Sequence, residues 1–351
     1  MSPAPETRPG LRDVEPYVSP QPDVQARLNT NECPHPLPEA FASDLAQAVR
    51  DVPLNRYPDG QMIRLREELA GHTGHAAEGV WVANGSNEIL TELLLAYGGP
   101  GHRALMFEPT YLLHSRIAWL THTGVVKLKL DPPFRLGARD VAGAIGMRPH
   151  VVFVCSPNNP TGNAQPVDAV KRLAEGSNAL VVVDEAYIEF GGESAGRLLA
   201  DHPNVVVVRT LSKAFALAGA RVGYCLADLA VVEDLQRVRL PYHVSALAQA
   251  ASLTALHHAG DAEGILGAIR AERDRIVAAL EAMPGTTVYP SDANFVLFVP
   301  PKPAAEVWQG LLDRGVLVRD LSAVVPGGLR VTAGATHEVD LFLRSMSEVL
   351  A

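Results

Sequence analysis

The sequence predicts an α/β protein, with a large unit built on a mainly parallel sheet flanked by helices and a small α+β unit after it. Three observations carry this. Seven short apolar runs recur between residues 80 and 226, most of them separated by helix-like stretches. The runs are continuous, not alternating, as in strands covered on both faces. The chain has 351 residues, beyond the ~250–300 at which a single core stops growing.

Taken in order, residues 1–27 read as an irregular arm that opens polar and Pro-rich (MSPAPETRPG). A helix is predicted at 39–50 (EAFASDLAQAVR), a turn-rich linker at 53–60 (PLNRYPDG) and a second helix at 61–72. Strands follow at 80–83, 104–108, 125–130, 150–155, 180–184, 205–209 and 222–226. Helices such as 86–97 (SNEILTELLLAY) and 166–176 alternate with them, as in βαβ units. Beyond 230 helical patterns dominate to about 283, including 265–283. Strand-like runs at 286–289, 294–299, 316–319 and 329–332 are then interleaved with helices near 304–314 and 336–350. The division expected is an arm at 1–38 packing with the small unit, a large ligand-binding domain at 39–270 and a small domain at 271–351.

Apolar residues make up 47% of the chain and the net charge is −9, with no long basic run. A folded protein is expected, with neither nucleic acid nor an anionic membrane as partner. Cys33, Cys155 and Cys225 are too few and too scattered for a disulfide framework or a CxxC metal site. The N-terminus lacks the charged-then-apolar pattern of a signal peptide, and no apolar run approaches the ~20 residues that span a bilayer. The expected location is the cytoplasm, and no metal is expected.

The chemistry gathers where strands end, which is where open α/β sheets bind ligands. Asn84-Gly85-Ser86-Asn87 follows a strand and opens a helix, where backbone N–H groups can hold an anion. SPNNPTG at 156–162 is a turn-rich loop after another strand. In VVVDEAY (181–187) an apolar strand ends in Asp184, costly to bury unless it meets a cation or a donor. Taken singly, these stretches read equally as a helix cap, a loop and another cap. In TLSKAFALAGARVGY (210–224), Lys213 sits between hydroxyls and small apolar residues, with Arg221 eight positions later. A lysine in such a pocket can lose its proton and condense with carbonyls. The set meets the needs of pyridoxal 5′-phosphate (PLP): N–H donors, hydroxyls and an arginine for the phosphate, a carboxylate for the ring nitrogen, a lysine for the aldehyde.

Over almost its whole length the chain resembles the fold-type I PLP aminotransferases, through NPTG (159–162), DEAY (184–187) and SKAFALAGARVG (212–223). Within them it looks like the histidinol-phosphate aminotransferases, through EPYVSP (15–20), LNTNECP (28–34), RYPDG (56–60), LVRD (317–320) and LRVT (329–332). The resemblance implies that Lys213 carries the cofactor's aldehyde and moves the proton between Cα and C4′. It implies Asp184 at the ring nitrogen, Asn159 and Tyr187 at the ring oxygen, and Tyr111 stacked on the ring. Gly85, Ser86, Asn87, Thr210, Ser212 and Arg221 would surround the phosphate, joined by Tyr57 from the neighbouring subunit of a homodimer. The donor's phosphate, or the carboxylate of 2-oxoglutarate and glutamate, would meet Arg330, Arg319 and Tyr17, with Asn31 and Glu32 lining the site. For Asn31 a simple turn is the competing reading.

Two positions depart from the resemblance. His114 stands three residues after Tyr111, where the family often has a second aromatic, and His243 stands where an asparagine is more usual. The implied reaction is transamination between L-histidinol phosphate and 2-oxoglutarate in histidine biosynthesis. An aromatic amino-acid aminotransferase, a PLP-dependent phospho-amino-acid decarboxylase and a non-enzymatic PLP binder are the alternatives on the same scaffold.

Overall fold

A computed structural model describes residues 5–16 and 21–351. In chain order the elements are β1 (Ala26–Arg27), α1 (Glu39–Arg50), α2 (Ile63–Thr73), β2 (Val80–Ala83), α3 (Ser86–Tyr97), β3 (Arg103–Glu108), α4 (Leu112–Leu120), β4 (Gly124–Lys129), α5 (Ala138–Gly146), β5 (Val151–Cys155), α6 (Val167–Gly176), β6 (Leu180–Asp184), β7 (Val205–Thr210) and β8 (Gly223–Leu226). They continue with α7 (Leu229–Val238), α8 (Ala246–His257), α9 (Ala259–Glu281), β9 (Thr287–Val288), β10 (Phe295–Val299), α10 (Ala304–Leu312), β11 (Val316–Leu317), β12 (Arg319–Asp320), β13 (Leu329–Thr332) and α11 (Thr336–Leu350).

The large sheet has seven strands in the order β2-β8-β7-β6-β5-β3-β4. Its central strands are buried on both faces, which is why they read as continuous apolar runs. Along β6, Val181 and Val183 enter one core cluster, while Leu180 and Val182 enter a second on the opposite face. Valine suits this role because its branched side chain packs well on a pleated surface.

The pairs β3–β4, β3–β5, β5–β6 and β6–β7 are parallel. Strand β8 runs against both of its neighbours, β7 and β2. The connection explains the reversal. A parallel return needs a crossover of about a dozen residues or more, usually a helix. Residues 211–222 hold only a short 3₁₀ turn, Ala218–Ala220, so the chain comes straight back. That tight return is the segment carrying Lys213 and Arg221, and it holds both at the C-terminal end of β7.

The smaller unit has a four-stranded antiparallel sheet, β12-β13-β10-β9. The single strand expected at 316–319 is two strands in different sheets. Val316 and Leu317 pair in parallel with Ala26 and Arg27, whereas Arg319 and Asp320 turn to pair with β13. Leu28 extends the link, donating to Leu317 O at 2.8 Å and accepting from Thr332 N at 2.9 Å. Earlier in the arm the contacts are with the large unit. Arg8 donates to Leu120 O at 3.2 Å and lies over the Trp119 ring, and Arg116 donates to Glu15 O at 2.8 Å. Helix α2 starts two residues later than predicted because the Asp59 carboxylate accepts from Gln61 N at 2.8 Å and Ile63 N at 2.9 Å, closing a turn ahead of it.

Candidate active site

The C-terminal ends of β3, β5, β6 and β7, together with the start of α3, deliver side chains to one region. Asp184 ends β6 and is 3% exposed. Its Oδ2 accepts from His114 Nε2 at 3.0 Å, and its Oδ1 from Ala186 N at 3.3 Å. A carboxylate can only accept, so the imidazole carries its hydrogen on Nε2. His114 is fully buried, stacked on Phe153 with ring centroids 4.8 Å apart and edge-on to Tyr111 at 5.5 Å. The sequence marks His114 as a departure from the family, and the structure sets it against Asp184. The available signal was its spacing, one helical turn beyond Tyr111 on α4.

Lys213 lies one strand over, just past β7. Its Nζ donates to Thr30 O at 3.1 Å and stands 5.9 Å from the centroid of the Tyr187 ring. Burial, then the charges of Arg330 and Arg221, lower its pKa to about 8, with Glu32 pulling the other way. The amine is thus close to releasing its proton near neutrality. Thr30 contributes a backbone atom, which residue type cannot announce.

Tyr187 is buried edge-on to Phe295 and accepts from Asn31 Nδ2 at 3.0 Å. Its hydroxyl pKa is pushed up to about 12, chiefly by burial. Asn31 sits at φ 56° and is 1% exposed. Its Oδ1 accepts from Thr332 Oγ1 at 3.0 Å, so it ties the arm to Tyr187 and β13. Arg330 of β13 donates through Nη1 to Asn159 Oδ1 and through Nη2 to Asn29 O at 2.7 Å, over the Phe295 ring. Arg319 lies directly opposite Arg330 in the register, so the two side chains leave the same face of the sheet. Glu32 is exposed and lines a polar cavity with Arg27, Cys33, Thr332 and His337.

The third group sits at the start of α3. Gly85 adopts φ 87°, and a Cβ there would fall 2.6 Å from Arg221 Nη2. A Cβ at Gly223 would fall 2.3 Å from Ser86 N. Both positions therefore require glycine, and the arginine presses against the helix start as a result. Arg221, itself at φ 55°, donates to Ser212 Oγ at 3.2 Å. Thr210 Oγ1 accepts from Ser212 N at 3.1 Å. Asn87 Oδ1 accepts from the Tyr111 hydroxyl at 3.3 Å. A guanidinium, the Ser212 hydroxyl it meets, the Thr210 hydroxyl bonded to Ser212 and a helix N-terminus form a donor set suited to a phosphate. With the lowered lysine and the buried carboxylate nearby, the residues fit PLP.

One predicted residue stands apart. Tyr57 is 81% exposed and stacks on Tyr242 at 4.5 Å, away from the buried groups. Tyr17 lies outside the described residues.

The profile of the family described as aminotransferase class I and II matches residues 23–345. The chain belongs to this family. A histidinol-phosphate aminotransferase of Frankia casuarinae is 49% identical, with 98% of this chain and 90% of the relative covered. One of Thermobifida fusca is 48% identical, with 97% and 94% covered. Among solved structures, the Sinorhizobium meliloti histidinol-phosphate aminotransferase in complex with pyridoxal 5′-phosphate superposes with a TM-score of 0.89 at 24% identity, over 99% of this chain and 98% of that one. This class I and II aminotransferase therefore has the fold-type I architecture that its motifs implied.

Proposed function

We propose that this aminotransferase uses pyridoxal 5′-phosphate to convert L-histidinol phosphate and 2-oxoglutarate into imidazole-acetol phosphate and L-glutamate, a step of histidine biosynthesis. The observation that carries the reading is the cross-strand pair Arg319–Arg330, whose second member acts on Lys213. Like charges directly opposite on a sheet are unfavourable, and an anion held between them removes the repulsion. A phosphate dianion calls for two cations, and the α-carboxylate of glutamate can use the same fork. The name and near-full-length identity of the curated relatives support the same donor.

When bound, PLP supplies an electrophilic aldehyde and a ring that takes up the electron pair freed at the substrate's Cα. Gly85, Ser86, Asn87, Thr210, Ser212 and Arg221 would hold its phosphate. Asp184 would meet the ring nitrogen, Asn159 and Tyr187 the ring oxygen, and Tyr111 the ring face. Lys213 Nζ would take the proton from the substrate's Cα and hand it to C4′, the cofactor's aldehyde carbon, a task suited to an amine poised near neutrality. Arg330, Arg319 and Tyr17 would orient the anionic end of either donor, and Glu32 would line the entrance.

The active form is a homodimer in which Tyr57 reaches the neighbouring phosphate site. The exposure of Tyr57 beside Leu54 and Leu240, both 72% exposed, supports this. Among the described residues no helix is long and apolar enough to cross a membrane, and we place the enzyme in the cytoplasm. The chain divides into an arm (1–38), a large PLP-binding domain (39–270) and a small domain (271–351).

The test is spectroscopic. PLP-loaded protein is mixed with histidinol phosphate, phenylalanine or threonine phosphate. Conversion of the cofactor to its amine form at far lower histidinol phosphate than phenylalanine is the expected result. Preference for phenylalanine, release of CO₂, or no spectral change with any amine would each replace the reading with one of its rivals.

A further inference from the structure

Beneath the first turns of α3 lies a polar cluster that the proposed reaction does not use. Glu92 is 3% exposed. Its Oε2 accepts from Trp81 Nε1 of β2 at 2.7 Å, while its Oε1 is buried with no partner. One helical turn earlier, Glu88 Oε2 accepts from Asn84 N. From the segment before α8, His243 stacks on Trp81 with ring centroids 5.6 Å apart, and its Nε2 lies 3.0 Å from Val82 O. A carbonyl only accepts, so Nε2 carries the hydrogen and Nδ1 of the neutral ring presents a lone pair. That Nδ1 is also buried with no partner. Two acceptors with nothing to accept from are costly to bury.

One ligand atom from each of Glu88, Glu92 and His243 lies within 4.8 Å of the other two. We propose that these three side chains bind a divalent first-row metal ion of the Zn²⁺ type. Two carboxylates balance its charge, and three protein ligands leave a fourth tetrahedral position for water. An imidazole whose second nitrogen donates to a backbone carbonyl is already oriented as metal-binding histidines are. Glu88 and Glu92 share one helix face by their spacing. The neighbouring cation, Arg239, has its guanidinium over the Trp81 ring at 5.6 Å. The bound ion ties α3, whose first residues are Ser86 and Asn87, to the segment that carries His243. The rival arrangement is a single proton shared between Glu92 and His243, which would satisfy both acceptors without a metal.

PLP-loaded protein, freed of metal by a chelator that is then removed, is titrated with Zn²⁺ against a chromophoric indicator. Glu92→Gln and His243→Asn are titrated beside it. The amide oxygen introduced by Glu92→Gln can still accept from Trp81, and if one variant fails to fold the other decides. One tight Zn²⁺ per chain is expected, weakened about a hundredfold or more in either variant, as loss of a directly bound ligand implies. Co²⁺ should give visible bands that both variants lose. Equal Zn²⁺ binding by wild type and variants would assign the ion to surface groups, such as the stacked His102 and His150, and overturn the site. No Zn²⁺ uptake at micromolar concentration would also overturn it and leave the shared proton as the answer.

Discussion

Asp184 and Glu185 are consecutive carboxylates, 3% and 1% exposed, and the fold treats them in opposite ways. Successive residues at a strand end face opposite sides. On one side, Glu185 is saturated. Its Oε2 accepts from Arg209 Nε at 3.1 Å and from Ser194 Oγ at 2.8 Å, and its Oε1 accepts from Ala195 N at 2.6 Å. On the other, Asp184 meets one imidazole N–H and one backbone N–H at 3.3 Å, and keeps acceptor capacity toward the site. A buried carboxylate whose lone pairs are all answered holds the structure together. One with a lone pair left over can do chemistry. The same contrast separates the guanidinium of Arg209, locked in that ion pair, from the amine of Lys213, held by one carbonyl.

The largest effect should come from the amine. Lys213→Ala is expected to lower turnover roughly 10⁴-fold or more, since it removes the group proposed to move the proton. Equilibrium dialysis should still show PLP bound non-covalently. Normal turnover by this variant would break the catalytic side of the contrast.

The paired carboxylates are tested by exchanging their charges for amides. Glu185→Gln should destabilise the protein by about 1–3 kcal/mol, because Arg209 loses its hydrogen-bonded counter-charge while Glu189 and Tyr224 still act on it. Thermal unfolding measures this, and kcat of the folded fraction should stay near wild type. Asp184→Asn should do the reverse, with kcat down about 10²–10³-fold from loss of a preorganised charge and a modest change in Tm. If both variants lose activity and stability together, the two carboxylates do not have separate roles.

Much of the fold could be read before the structure. Continuous valine runs announced strands covered on both faces, and the residue types of Lys213, Asp184 and Arg221 marked the region where the structure gathers them. The reversal of β8 could not be read from its own residues, because strand direction is set by the length and shape of the connection at 211–222. The anchors of Lys213 and Arg330 were hidden because Thr30 and Asn29 act through carbonyl oxygens, which every residue has. Asp184 and Glu185 look alike in sequence, and only the register of β6 and β7 shows which one meets Arg209. The split of 316–320 between two sheets was hidden for the same reason, since both halves have strand-forming residues and pairing partners far away in the chain.

A pH series sharpens the amine side of the comparison. With its pKa lowered to about 8, Lys213 gains its neutral, nucleophilic form as pH rises through that value. Covalent capture of PLP by cofactor-free protein, followed by absorbance, should therefore slow by about tenfold per pH unit below 8 and level off above it. A profile still rising toward pH 10 would mean that burial and the two arginines do not lower the amine in solution.

The smallest effect, and the finest test, concerns His114. On the proposed mechanism it would act through Asp184, to which it donates, and through Tyr111, which it meets edge-on, so it is a positioning residue. His114→Phe keeps a flat ring against Phe153 but removes the N–H donated to Asp184 Oδ2. A hydrogen bond to a charged group is worth about 1.5–3 kcal/mol, and only part of that should reach the rate, so a loss of about tenfold in kcat is expected. KM for the donor should hardly move, since His114 is fully buried behind Asp184. His114→Gln tests whether the hydrogen bond or the packing matters. Its side-chain amide can present an N–H near the position of Nε2 while filling the cavity less well, so it should recover most of the rate despite a lower Tm. If the phenylalanine variant keeps both rate and stability and the glutamine variant keeps neither, His114 serves Asp184 as packing alone.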